Sequence, residues 1–205
     1  MGNMIGGVNV SRETSQALET FAALVLKWTP RINLIGASTK ADIWERHIVD
    51  SAQIYRFAPE SFDIWLDIGS GGGFPGIVAA ILAKEHAPKA QFVLVESDLR
   101  KATFLRTAIR DCDLNAKVLA ERVENLPVVG ADVVSARALG ALSMLLPLVA
   151  LHMTPSGLAL LHKGRQAESE IALARQDWRF DLEEVASITD PDARLLLIQR
   201  IARVA

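Results

Sequence analysis

From residue 63 onward, short apolar runs alternate with stretches of helical period, and this alternation leaves the chain few architectures. DIWLDI (63–68), FVLVE (92–96), AKVLA (116–120), DVVSA (132–136) and LALLHK (158–163) have the length and composition of buried strands. Helical patterns fill 75–86, 98–112, 141–151 and 168–175. Parallel neighbours require crossover connections, so a strand–helix alternation specifies a parallel sheet with helices on both faces. The last two runs, DLEEVAS (181–187) and RLLLIQRI (194–201), are joined through the turn-rich TDPDA (189–193). That is too short for a crossover and predicts an antiparallel hairpin closing the sheet. The expected fold is α/β, doubly wound and Rossmann-like.

The N-terminal part reads differently. Ser11 is placed to cap a helix in which Leu18, Phe21, Ala22, Val25 and Trp28 recur on one face, with Pro30 ending it. A second helix is expected after the polar turn at 37–40. There Thr39 and Asp42 have capping-box-like spacing, and Ile43, Trp44, His47, Ile48 and Ser51 or Ala52 share a face. Residues 1–60 are thus expected as a helical cap on an α/β core at 61–205, within one domain.

Half of the 205 residues are apolar, enough to bury a core without disulfides, and Cys112 is the only cysteine. It offers neither a disulfide nor a C-x-x-C zinc spacing, so no metal site is expected and a reducing, cytoplasmic setting fits. The start lacks the pattern of a signal peptide, and the apolar tract at 142–153 is too short for a membrane span. A formal net charge of −2 excludes a global field that would hold the protein on nucleic acid, so any polyanion must be bound locally.

The run DIGSGGGFPG (67–76) follows the first strand of the core, where a doubly wound sheet places its ligand crevice. Its five glycines remove the Cβ atoms that would keep a ligand off the backbone. Gly71, Gly73 and Gly76 match the G-x-G-x-x-G fingerprint. A P-loop would need Lys and Ser or Thr after the last glycine, where Ile77 and Val78 stand. A dinucleotide pyrophosphate would need N–H donors at the helix start, where Pro75 has none. S-adenosylmethionine, a nucleoside without phosphate, makes no such demand, and proline suits a first helical position. Asp67 opposes phosphate but can help position a cationic methionine end, or it can simply cap the turn. Glu96, twenty residues beyond Gly76 at the end of the second strand, is placed to accept hydrogen bonds from ribose hydroxyls. Val123 and Glu124, after the third strand, stand where an adenine would pack and find a polar partner.

The motifs LDIGSGGGFPGI, VLVESDLRKATFLR, RVENLP, SARAL and HKG, with the N-terminal KWTPRINLIG and ERHIVDSAQIY, resemble the bacterial 16S rRNA guanine-N7 methyltransferase family, also called glucose-inhibited division protein B. The resemblance spans nearly the whole chain. It implies a class I S-adenosylmethionine-dependent methyltransferase fold and methyl transfer to N7 of one guanine, within the small ribosomal subunit or its assembly intermediate. It also implies cofactor contacts from Gly69, Phe74, Val123, Glu124 and Arg137, and a target-positioning role for His47, Asp50 and Ser51. Gly72 and Pro30 depart from the family's usual residues at their positions.

The local chemistry agrees with that target. SARAL after the fourth strand is not the Asp/Asn-Pro-Pro-aromatic motif of amine methylation, and Cys112 among charges is expected to pack rather than attack a base. Guanine N7 presents a free lone pair, so no general base and no catalytic side chain is required. Arg137 and Lys163, just past strand ends, are candidates for a methionine carboxylate, a target phosphate or the RNA backbone, or for salt-bridged rim charges. Other readings of the residues are a methyltransferase for another RNA or a small molecule, a non-catalytic ribosome-assembly factor that keeps a nucleoside pocket, and, more remotely, a dehydrogenase.

Overall fold

The structure, a computed structural model, describes residues 3–204. The N-terminal segment is not wholly helical as expected. It opens with an antiparallel ribbon of β1 (Asn3–Ile5) and β2 (Val8–Val10), joined through Gly6 and Gly7, both at positive φ. Strands of three residues carry too little alternation to be read from sequence.

Helix α1 (Arg12–Ile32) starts where expected, with the Ser11 hydroxyl accepting from the Thr14 N–H at 3.1 Å. Pro30 does not end it. The helix runs on to Ile32 and closes at Asn33 in the left-handed conformation, whose N–H reaches the Thr29 carbonyl. A proline this close to the C-terminus deletes one intrahelical bond rather than a run of them.

The second helix also departs from expectation. A 3-10 turn at Ala37–Thr39 is followed by a π-helical segment, Trp44–Val49, one α turn, α2 (Asp50–Ala52), and a 3-10 stretch, Gln53–Phe57. Thr39 forms no capping box with Asp42. Its hydroxyl donates to the Gly36 carbonyl and pairs with His47.

The core sheet has seven strands in the order β5 (Ala116–Leu119), β4 (Gln91–Val95), β3 (Ile64–Ile68), β6 (Ala131–Arg137), β7 (Met153–Lys163), β9 (Arg194–Arg203), β8 (Trp178–Ala186). The first five are parallel, and β9 and β8 form the antiparallel hairpin expected from the short TDPDA connection. Strand order reverses between β3 and β6, so their carboxyl ends frame the crevice.

One face of the sheet is covered by α3 (Gly76–His86) and α4 (Leu99–Asp111), with α1 packed on both; the other carries α5 (Leu142–His152) and α6 (Ala167–Ala174). Every residue of α3 from Gly76 to Ala83 is buried, as an all-round apolar helix must be. Trp65 on β3 anchors this side, stacked between Tyr55 and Phe92. No helix among the described residues is long and apolar enough to cross a membrane.

Candidate active site

The glycine loop leaves β3 and enters α3 at the reversal point, beneath a cavity of about 720 Å³. Pro75 is not the first helical residue but the cap before it, following a cis peptide bond; the helix begins at Gly76. A Cβ on Gly76 would collide with Leu94 and Asp67, so this glycine lets α3 close onto the sheet. Gly71 has the opposite setting. At φ +53°, its Cβ position meets only the Gly69 carbonyl, at 3.8 Å, and otherwise points to open space. A bare, left-handed backbone that opens onto a cavity is what close approach by a ligand requires.

Glu96, at the end of β4, lines the cavity and is nearly buried. One carboxylate oxygen accepts from the Gly71 N–H and the other from the Asp98 N–H, each at 2.8 Å. Each oxygen keeps a lone pair, so the carboxylate ties the loop and can still receive hydroxyl donors. Across the cavity, Val123 and Glu124 lie on a 3-10 turn whose Val123 carbonyl is held by buried His152 on α5.

At the far end, the cavity adjoins a second one of about 410 Å³, and Arg137 and Ala138 line both. The Arg137 guanidinium donates to Asp50 at 2.9 Å, to the Arg46 carbonyl at 3.3 Å and to His47 Nδ1 at 2.6 Å, and lies over the Phe74 ring. Arginine can only donate, so His47 Nδ1 is an acceptor and Nε2 carries the proton, donated to Thr39 at 2.8 Å. Burial and the Arg137 charge press the His47 pKa down to about 4. Asp50 also accepts from Thr189 and Gln53, and His162 donates to its backbone carbonyl. Despite its burial, the charge of His162, the Thr189 hydroxyl and Arg137 hold Asp50 below the usual carboxylate range.

The residues expected from sequence divide clearly. Gly69, Gly71, Phe74, Glu96, Val123, Glu124 and Arg137 line the first cavity; His47, Asp50, Lys163 and again Arg137 line the second. Asp67, Gly73 and Ser51 line neither. Asp67 is buried behind the loop, where one oxygen accepts from Ser135 at 2.6 Å and the other has no hydrogen-bond partner. Burial raises its pKa to about 6. Its carboxylate lies beneath the loop, bonded to β6. Ser51 is fully buried in α2, which packs on α3, so its hydroxyl faces no cavity.

Lys163 is no free rim cation: its ammonium is buried, bound to the Gly140 carbonyl and to Glu170. Cys112 is buried with its thiol pushed up to about 11, mainly by burial, in keeping with a packing role. Three parts of the site lay inside motifs noted in the sequence, His162 in HKG, Ala138 and Leu139 in SARAL and Lys101 in VLVESDLRKATFLR, but no pocket role was read for them there.

Comparison with known proteins agrees with this geometry. The S-adenosylmethionine-dependent methyltransferase from Aquifex aeolicus superposes with a TM-score of 0.59 at 14% identity, over 73% of this chain and 88% of its own. M. jannaschii TYW2, in complex with AdoMet, superposes with a TM-score of 0.58 at 13% identity, over 77% and 76%. Fold and site together define a Rossmann-like methyltransferase. The family model described as rRNA small subunit methyltransferase G matches residues 14–197. A Cereibacter sphaeroides protein named Ribosomal RNA small subunit methyltransferase G is 52% identical over 202 residues, covering 98% of each chain. A Ruegeria pomeroyi protein of the same name is 48% identical over 96% of each. The chain belongs to the rRNA small subunit methyltransferase G family.

Proposed function

We propose that this protein methylates N7 of a guanine in 16S rRNA of the small ribosomal subunit, in the cytoplasm. The observation that carries the reading is the pair of adjoining cavities. One is walled by the glycine loop, Glu96 and Val123; the other is lined by His47, Asp50 and Lys163; both meet at Arg137 and Ala138. Glu96 would hold the ribose, Val123 and Glu124 the adenine, and Gly69, Gly71 and Phe74 the middle of S-adenosylmethionine. When bound, that cofactor supplies an electrophilic methyl group, which a guanine N7 lone pair can accept without losing a proton.

The two side chains that flank Arg137 in the second cavity, His47 and Asp50, suit such a target because neither is a free base; His162 beside them keeps a buried, unpartnered Nδ1. His47 is neutral with both ring nitrogens engaged, and the Asp50 carboxylate is tied to Arg137, Thr189 and Gln53. Arg137 in turn is held by His47 and Asp50. A guanidinium so engaged does not take the N7 and O6 atoms in the bidentate grip arginine otherwise favours. The test is incubation with methyl-labelled S-adenosylmethionine and either small subunits or naked 16S rRNA, followed by mass-spectrometric mapping. Label on guanine N7 is expected. Label confined to small molecules or to exocyclic amines would reject the reading.

A further inference from the structure

We propose that Lys163 and Glu170 form a latch that holds residues 138–140 as the wall between the two cavities, making them positioning residues for methyl transfer and not RNA contacts. The inference rests on the reading above for its activity readout, but its geometry stands alone. Arg137 and Ala138 line both cavities, Leu139 only the first and Gly140 only the second, so this short segment is the partition. Ala138 sits at φ +54°, a left-handed conformation that a residue with a side chain keeps only when its surroundings hold it there.

The holding bonds come from below the second cavity. The Lys163 ammonium, at the end of β7, donates to the Gly140 carbonyl and to Glu170 Oε2 at 2.8 Å. The same Glu170 oxygen, from α6, accepts the Leu142 N–H at 2.7 Å. One cation and one carboxylate oxygen thus pin the chain on both sides of Ala141. On the other side of the wall, Leu139 lies so close over Gly69 that even a Cβ there would collide with it, so a shift of the wall would disturb the glycine loop as well. Two of the three Lys163 donors are used, its charge is neutralised, and its side chain is only 6% exposed, which leaves little for a phosphate.

The test uses the full-length Lys163→Met/Glu170→Gln double variant, which removes the latch while keeping charge balance, beside wild type. Hydrogen exchange at residues 140–142 should accelerate in the variant. Single-turnover methylation of small subunits should fall roughly 100-fold, as misalignment on the order of 1 Å does. With S-adenosylmethionine held at saturation for both proteins, affinity for subunits should remain within about twofold, with the salt dependence of subunit binding unchanged. Unaltered exchange or an unaltered rate overturns the latch. Weaker subunit binding with a salt slope smaller by about one would instead mark Lys163 as a phosphate contact. If the double variant lacks a cooperative melt, Lys163→Met alone, which frees the Gly140 carbonyl, is held to the same outcomes. Absence of labelling by wild type would refute the methyltransferase reading and leave the exchange result to decide the latch.

Discussion

Glu96 shows how one carboxylate can both shape a loop and receive a ligand, because its two bonds to Gly71 and Asp98 leave lone pairs facing the cavity. Glu96→Ala should weaken S-adenosylmethionine binding by about 10- to 150-fold, the worth of a charge-assisted hydrogen bond, as read by calorimetry. Gly71→Ala should also weaken binding with the circular dichroism spectrum preserved, since the added methyl enters open space on the protein side. His47 makes a separate claim. With its pKa near 4 it stays neutral at working pH, so single-turnover rates should be flat from about pH 6.5 to 8.5. A rise through that window, lost in His47→Ala with binding intact, would identify a general base. Glu96 was legible in the sequence because spacing from the glycines fixes which residue ends the next strand. That Asp67 lies beneath the loop, outside both cavity linings, was not legible: type and spacing do not reveal whether a polar side chain at an element's end turns toward the cavity or the core.

Between β3 and β6, a buried chain of bonds runs from Trp65 Nε1 to Ser135 Oγ and on to Asp67, at 2.8 and 2.6 Å. Ser135→Ala would strand the indole N–H and a carboxylate oxygen, and should lower unfolding stability by about 1–3 kcal/mol in urea titration. Two groups in this region act oppositely with pH. His47, whose folded pKa lies below its ordinary value of 6.5, contributes stability that is lost as pH falls from 6.5 towards 4. Asp67, raised from 3.8 to about 6, contributes stability present below 3.8 and lost as pH rises through 6. The two offset each other in the window they share, so Asp67→Asn should make stability fall more steeply on acidification between about pH 6 and 4 than in wild type. At this scale most of the sheet was legible, since buried strands must be apolar runs and crossover length sets their direction. The π-helical segment at Trp44–Val49 was not, because an extra residue per turn leaves almost no trace in the apolar spacing.

For the molecule as a whole, α3 is the keystone: it carries the glycine loop, lies flat on the sheet, and is roofed by α1. A fragment starting at residue 61 would expose an apolar helix, so it should show no cooperative thermal transition and should aggregate where the full chain melts reversibly. That outcome would make the N-terminal cap part of one cooperative unit with the α/β core, as the single-domain reading of the sequence expects. The arrangement also has a cost in time. Helix α1 is complete at Ile32, but the surface it must cover, made by α3 and α4, is finished only at Asp111. At about 5–20 residues per second of synthesis, its apolar stripe waits several seconds for a partner. During that interval the emerging chain is an unsheltered amphipathic helix, and the stretch of protein biogenesis in which it is most exposed to chaperones and proteases comes before its active site is complete.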